Sequence, residues 1–396
     1  VSQPTPARRD VVVIGAGASG LACAAACGAR GRSVLVVDHA ERAAAKVRIS
    51  GGGRCNFTNR DVAAEHYLSQ NPHFCKSALA RFRPADIVAR LERRGIRYRE
   101  REAGQLFCEE SARQVVEMLL DDCRGAGAEV RLGCRVAAVE RGDGFTVRTS
   151  LGDVRAAAVV VATGGLSYPK LGATGLGFEL ARQFGLAVVP PRPALVPFVF
   201  ARPLRDALQG LAGISLDAGL ACGGRRWTGK VLFTHRGLSG PAALQASLRW
   251  QPGEPLTVDL LPGGDAREAL AAKRRSRVET KTALAGLLPR RLAEAWCALS
   301  GVAGPIDQLP ERRLRELAAG LHAWEIVPGG TEGYATAEVT AGGVDTAELS
   351  STTLEARRVP GLHFVGEVVD VTGALGGYNL HWAFASGVAA GGSAGG

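Results

Sequence analysis

The chain has no apolar run approaching the roughly 18 residues that a membrane-spanning helix needs. Its first ten residues, Val1–Asp10, lack an apolar h-region, so no secretory signal is expected. The nine cysteines form no Cys-x-x-Cys pair, and no Cys/His set has zinc-ligand spacing. Neither a disulfide framework nor a metal is therefore expected; reduced, mostly buried thiols in a cytoplasmic protein fit better. The 52 glycines follow no three-residue period, which excludes a collagen-like chain and assigns them to turns and loops. There is no internal repeat. Wholesale disorder is excluded because 46% of residues are hydrophobic and 22% charged, as in ordinary globular proteins.

What is present is a chain of 396 residues, long enough for two or three domains. Its 48 Lys and Arg outnumber its 38 Asp and Glu, for a net charge of +10. Such a balance suggests an anionic partner, a nucleotide or RNA. An arginine-rich composition with no ligand behind it would give the same number.

Val11–Ile14 is a short apolar strand. The turn Gly15-Ala16-Gly17-Ala18-Ser19-Gly20 follows, then an Ala-rich helical run to Arg30. Gly31 ends the helix, and Ser33–Val37 is a second buried strand closed by Asp38. This is one βαβ unit. The stretch Lys46–Asn59 is too rich in Gly and polar groups for a regular element and reads as an ordered loop. Helices are expected over Phe74–Phe82, Pro84–Arg94 and Ser111–Gly125. Strands are expected over Glu129–Leu132, Arg135–Glu140, Gly144–Thr149, Asp153–Ala156 and Val159–Ala162. Composition shifts at Val189, with five prolines between Pro190 and Pro203. Short strands then run to about Leu261, and Ala266–Leu321 is helical and Arg-rich. Buried strands return at Ala335–Thr340 and Leu362–Val365.

A Gly-x-Gly-x-x-Gly motif is weak alone, but here a strand precedes it, a helix follows, and an acid ends the next strand. Gly15 allows the tight turn, Gly17 lets backbone approach a pyrophosphate, and Gly20 lets helix and strand pack closely. The helix start, with Ala18 and Ser19, offers free N–H groups to the anion. Asp38 can accept both hydroxyls of a ribose. Only one such fingerprint is present: Gly172–Gly177 follows a loop, not a strand.

The early motif, the strand run ending in Thr163-Gly164-Gly165, and the late Gly366-Glu367 resemble, in that order, the two-dinucleotide-binding-domain flavoproteins of the glutathione-reductase-like group. That resemblance implies FAD, with Thr163–Gly165 behind it, Gly366-Glu367 at the ribityl and phosphate, and the backbone of Val136 at the adenine. Longer signatures narrow the likeness. Lys46-Val47-Arg48-Ile49-Ser50-Gly51-Gly52-Gly53-Arg54-Cys55-Asn56-Phe57-Thr58-Asn59 resembles the SGGGRCNxTN signature of the YhiN/BaiN-like flavoproteins. So do Thr163–Pro169, Leu232–Pro241, Val339–Val344, Gly366–Asp370 and Gly376-Gly377-Tyr378-Asn379-Leu380. The matches span residues 11–391 in family order. The chain departs from the family at Leu176, where Asp is frequent; at Cys108, where Pro is frequent; at Leu375, where Thr or Cys is frequent; and at His381, where Gln is frequent. The last two lie near the expected flavin pocket.

The resemblance implies an α/β fold: a Rossmann-like FAD domain of residues 1–190 and 332–396, interrupted by an insert of residues 191–331. The insert is expected to be β-rich over 191–262 and helical over 263–331. It implies NAD(P)H-dependent reduction of a C=C bond conjugated to a carbonyl. Steroid-like enones are one substrate class, and uridine of ribosomal RNA, reduced to dihydrouridine, is another. Cofactor contacts are expected from Gly15, Gly17, Ala18, Ser19, Gly20, Asp38, Lys46, Gly52, Arg54, Val136, Thr163, Gly164, Gly165, Gly366, Glu367, Gly376, Gly377 and Asn379. Arg54, Asn56, Tyr378 and Asn379 can bind carbonyl or flavin edges, and Cys55 and His381 can deliver a proton. A cysteine in a tight Gly loop is also a small packing residue, and His381 can equally cap a helix. Thr58 and Asn59 are expected to hold the loop backbone, and Thr234 and His235 of the insert are candidates to face the flavin.

Arg81 to Arg101 holds eight arginines against Asp86, Glu92 and Glu100, and Lys273, Arg274, Arg275 and Arg277 form a second cluster. Both suit an RNA backbone, and both also suit a solvated helix face. Three readings follow: a reductase of RNA uridine, a reductase of a small enone, and an FAD-bound RNA- or ribosome-binding protein without turnover.

Overall fold

A computed structural model describes residues 7–396. The chain divides into two compact units: residues up to Pro193 together with Glu338–Gly396, and Ala194–Ala337.

The first unit is built on a sheet whose centre is fully apolar. Strand β1 (Ala7–Ile14), helix α1 (Ala18–Gly28) and strand β2 (Val34–Val37) form the βαβ unit. Val11–Val13 and Val34–Val37 are buried, as strands covered on both faces must be. Glu129–Arg131 pairs parallel with β2, and Val154–Val161 pairs parallel with β1 on its other side. Val154–Val161 is one continuous strand, where the sequence suggested two. Its first half pairs antiparallel with Gly144–Thr149, next to Val136–Gly142, and its second half pairs parallel with Leu362–Phe364. One strand thus carries both the hairpin and the late-returning segment, which is why no turn interrupts it.

The C-terminal helix Tyr378–Gly391 lies along α1. Small residues allow it: a Cβ on Gly387 would stand 2.3 Å from the Ser19 carbonyl oxygen, and one on Gly391 would stand 2.6 Å from that of Cys23. A three-stranded antiparallel sheet, in the order Asn56–Asn59, Gln105–Cys108, Tyr98–Glu100, carries the end of the Gly-rich signature.

The second unit is a seven-stranded antiparallel sheet. Its order is Trp324–Ile326, Leu256–Asp259, Ser215–Cys222, Arg225–Phe233, Gly237–Ser239, Phe198–Phe200, Pro328–Thr331. Helices between Ala266 and His322 pack with it around a core of their own that includes Leu270, Leu292, Leu314 and Leu321. After those helices the chain returns to the sheet through Trp324–Ile326 and Pro328–Thr331. No helix among the described residues is long and apolar enough to cross a membrane.

Candidate functional site

Gly15 has φ +113°, and its N–H donates to the Val37 carbonyl at 2.8 Å, which fixes the turn between β1 and α1. A Cβ on Gly20 would lie 1.9 Å from the Gly15 carbonyl oxygen, so only glycine lets the first helical turn close on the loop. α1 begins at Ala18 after Gly17, with no side chain capping it. The N–H groups of its first turn have no intrahelical acceptor and face outward as an anion cradle. No atom stands within 4 Å of where a Gly17 Cβ would be, so the backbone there is open to a ligand.

Asp38 closes this turn. One carboxylate oxygen accepts from the Ala16 N–H at 2.7 Å and the other from the Ala40 N–H at 2.8 Å. Each oxygen keeps a lone pair for a further donor such as a ribose hydroxyl. A cavity of about 240 Å³ opens here, lined by Gly15, Asp38, Val136 and Thr163 among others. The expected adenosine contacts are thus brought together around one cavity.

The phosphate turn and the late segment also meet. Gly366 has φ +76°, and a Cβ there would lie 2.5 Å from the Ser19 Oγ. Its N–H donates to Ser386 Oγ at 3.0 Å, and its carbonyl accepts from the Trp382 indole at 3.1 Å. Next to it, Glu367 takes the Thr340 N–H on one oxygen at 2.8 Å and the Lys46 ammonium on the other at 2.7 Å. A side chain at Gly165 would stand 2.4 Å from Thr340 Oγ1 and 2.7 Å from Glu367. Gly164 is left-handed at φ +73°. The Glu338 carboxyl is raised above its ordinary range by burial, with Lys46 opposing the rise. Thr340, Trp382, Ser386 and Glu338 were not singled out from the sequence. Thr340 stood inside a quoted signature, but nothing in the local pattern revealed that its neighbours are Gly165 and Glu367.

The signature Lys46–Asn59 is more regular than an open loop. Helical turns from Ala45 run into three left-handed residues, Gly51, Gly52 and Gly53, and then the strand Asn56–Asn59. A Cβ on Gly51 would meet the Phe107 ring at 2.8 Å. Gly52 is exposed, and exposed Arg54 donates to the Glu109 carbonyl. Asn56, with its amide turned to satisfy its neighbours, accepts from the Gly377 N–H at 3.1 Å and donates to the Thr58 carbonyl at 3.2 Å. Asn59 donates to the carbonyls of Ala103 at 2.9 Å and Gly376 at 3.1 Å. The strand therefore shapes the Gly376-Gly377 turn, whose glycines have φ +133° and +93°.

Three expected roles are corrected by the packing. Cys55 is fully buried, and its thiol is pushed well above its ordinary range by that burial, the surroundings of a small packing residue in a tight loop. His381 is fully buried, with Nδ1 2.8 Å from Thr58 Oγ1 and Nε2 3.0 Å from the Phe82 carbonyl. A carbonyl only accepts, so Nε2 carries the hydrogen and Nδ1 accepts from Thr58. Burial pulls its pKa down to about 4, and both nitrogens are committed, so His381 is a structural link. Asn379 accepts from the Gly373 N–H at 2.8 Å and donates to the Gly373 carbonyl at 2.7 Å; it shapes the turn instead of offering its amide to a flavin.

Tyr378 differs. Its ring stacks on His66 at 4.5 Å between centroids, 20° from parallel, and its backbone carbonyl accepts from the Tyr67 hydroxyl at 3.1 Å. Burial, then the nearby Asp61 charge, raises its phenol above the ordinary range. Thr234 and His235 lie in the second unit, in a turn where Thr234 Oγ1 accepts from the N–H groups of Arg236 and Gly237 at 3.1 and 3.0 Å.

The HI0933-like protein Rossmann domain family matches residues 9–393. A ribosomal RNA dihydrouridine synthase of Escherichia coli (strain K12) is 48% identical over 384 residues, 96% of each chain. A 3-dehydro-bile acid delta(4,6)-reductase of Clostridium scindens is 31% identical over 402 residues, covering 96% of this chain and 97% of its own. Among solved structures, a 3-ketosteroid-delta4-(5alpha)-dehydrogenase of Rhodococcus jostii RHA1 superposes with a TM-score of 0.51. It has 15% identity, covers 98% of this chain and 97% of its own, and shows a shared fold.

Proposed function

The chain belongs to the HI0933-like Rossmann family of flavoprotein oxidoreductases, and on that footing we propose that it reduces a uridine of ribosomal RNA to dihydrouridine, with FAD as cofactor and NAD(P)H as electron donor. The observation that carries this reading is the 48% identity to the Escherichia coli synthase across 96% of both chains. A ribosomal RNA substrate puts the work of the enzyme in the cytoplasm.

The residues present fit FAD. The α1 N-terminus would hold the pyrophosphate, Asp38 the ribose, and the cavity beside Val136 the adenine. Gly366-Glu367, with Lys46 paired to Glu367, and the left-handed Gly164 would face the ribityl and flavin end. When bound, FAD supplies a hydride to the β-carbon of the conjugated bond. The rest falls to the chain. In uridine the C5=C6 bond is conjugated to the C4 carbonyl, so charge builds on that oxygen and a proton must reach C5. Tyr378 supplies that proton. It is the candidate donor whose reactive group is not tied up in the fold, and a phenol carries its proton at neutral pH. Arg54, exposed at the end of the Gly51–Gly53 turn, is the donor to the carbonyl oxygen. No second dinucleotide fingerprint exists for NAD(P)H, which docks without a domain of its own.

The test is turnover by the purified holoenzyme with NAD(P)H, offered either ribosomal RNA from a strain lacking the gene or a steroid-like enone. Dihydrouridine in the digested RNA is expected. Reduction of the enone with none of the RNA would move the assignment to the second substrate class, which the Clostridium scindens relative favours.

A further inference from the structure

A second cavity, of about 490 Å³, lies in the first unit away from the nucleotide turn, lined by Arg60, Arg83, Pro84, Ala85, Val88, Glu92 and Tyr98. Its volume is within the range of about 300–1,000 Å³ that takes a small organic group. Tyr98 begins the edge strand of the three-stranded sheet and is half-buried. Its ring is braced edge-on by Phe57, with centroids 6.0 Å apart and planes at 88°. Its hydroxyl donates to Glu92 at 2.9 Å. The ring is therefore held at both ends, and lines the cavity.

The rim is basic. Arg83 has no carboxylate within ion-pair distance among the described residues, nor do Arg93 and Arg99 close by in sequence. Arg60 pairs with Glu100 at 3.1 Å, both side chains about half exposed. An exposed pair of this kind holds weakly and exchanges readily for a phosphate. Phe57, under Tyr98, belongs to the same strand as Asn56 and Asn59, which hold the Gly376-Gly377 turn. One strand thus links the cavity to the turn that carries Tyr378.

An aromatic face, a cavity beside it and arginines around it form the pattern that takes an unstacked base and its flanking phosphates. We propose that this cleft seats a base of the RNA strand beside the target uridine, stacked on Tyr98, with neighbouring phosphates on Arg83 and Arg60. The proposal rests on the RNA reading of the function.

The experiment uses holoenzyme variants and ribosomal RNA from a strain lacking the gene. Tyr98→Leu is expected to raise KM for the RNA about tenfold, the scale of one lost base–aromatic stack, with a smaller change in kcat. Tyr98→Trp should keep KM near the parent value and show indole emission, beyond that of the parent, quenched on adding RNA. Arg83→Ser should lower the slope of log affinity against log salt by about one. If Tyr98→Leu loses flavin, the Trp quench and the Arg83 slope decide. An unquenched Trp with an unmoved salt slope overturns the cleft assignment while leaving the RNA reading intact. A parent enzyme that neither binds nor reduces the RNA overturns that reading itself.

Discussion

At the scale of single residues, the neutral imidazole of His381 offers one acceptor, to Thr58, and one donor, to Phe82. Glutamine offers the same pair of one donor and one acceptor. His381→Gln should therefore keep the fold, while His381→Leu, leaving both partners unsatisfied, should cost about 1–3 kcal/mol in a denaturant titration. The two side chains differ in pH dependence. The folded-state pKa of His381 is depressed to about 4, below the usual histidine value near 6.5, so the unfolded chain binds the proton more readily. Its contribution is fully present above the unfolded pKa and is lost as pH falls from about 6.5 toward 4. That loss is at most about 3 kcal/mol. His381→Gln should flatten that part of the stability profile; an unchanged profile would show that another group sets it. At the other end of the site, Asp38→Ala should weaken FAD binding by about 1–3 kcal/mol, read by flavin fluorescence on dilution. The glycine spacing and Asp38 were legible in the sequence because they act locally. The roles of Cys55 and His381 were not, because their surroundings come from Cys108, Thr58 and Phe82, brought in by the fold.

At the scale of elements, the site depends on the C-terminal helix lying flat on α1. Trp382 and Ser386 tie the helix to Gly366, and Gly387 lets it touch Ser19. Gly387→Val should push the helices apart. The expected cost is about 1–3 kcal/mol, the usual price of overpacking, seen as a lower Tm together with weaker flavin retention. A lower Tm with full flavin would separate the helix contact from the cofactor site. The βαβ unit was readable because Val11–Ile14 and Val34–Val37 are uniformly apolar and the turn is glycine-rich; the first half of β1, with Arg8, Arg9 and Asp10, carries no such signal. The strand Val154–Val161 was read as two because Ala156–Ala158 carries little hydrophobic signal. Only pairing with β1 along its whole length reveals it as one. Likewise Lys46–Asn59 looked irregular because its regularity lies in left-handed glycines, which no periodicity marks.

At the scale of the whole molecule, the net charge of +10 sorts into paired and unpaired arginines. Arg94, Arg97 and Arg274 are tied to Asp122, Glu109 or Glu110, and Glu311. Arg93 and Arg99 in the first unit, and Lys273, Arg275 and Arg277 in the second, have no such partner among the described residues and are exposed. RNA affinity should fall steeply with salt. Replacing either unpaired set by Ser should make that fall shallower without loss of flavin absorbance, in a filter-binding series at several salt levels. Salt-indifferent binding would rule out a phosphate contact by these residues. The central claim, reduction of a ribosomal uridine, meets its most direct test in nucleoside mass spectrometry of ribosomal RNA from a strain deleted for the gene. The account predicts that one uridine, heavier by two hydrogens in the parent, reverts to unmodified uridine in the deletion and is restored by the wild-type gene. Ribosomal RNA with identical dihydrouridine content in parent and deletion strains would contradict it.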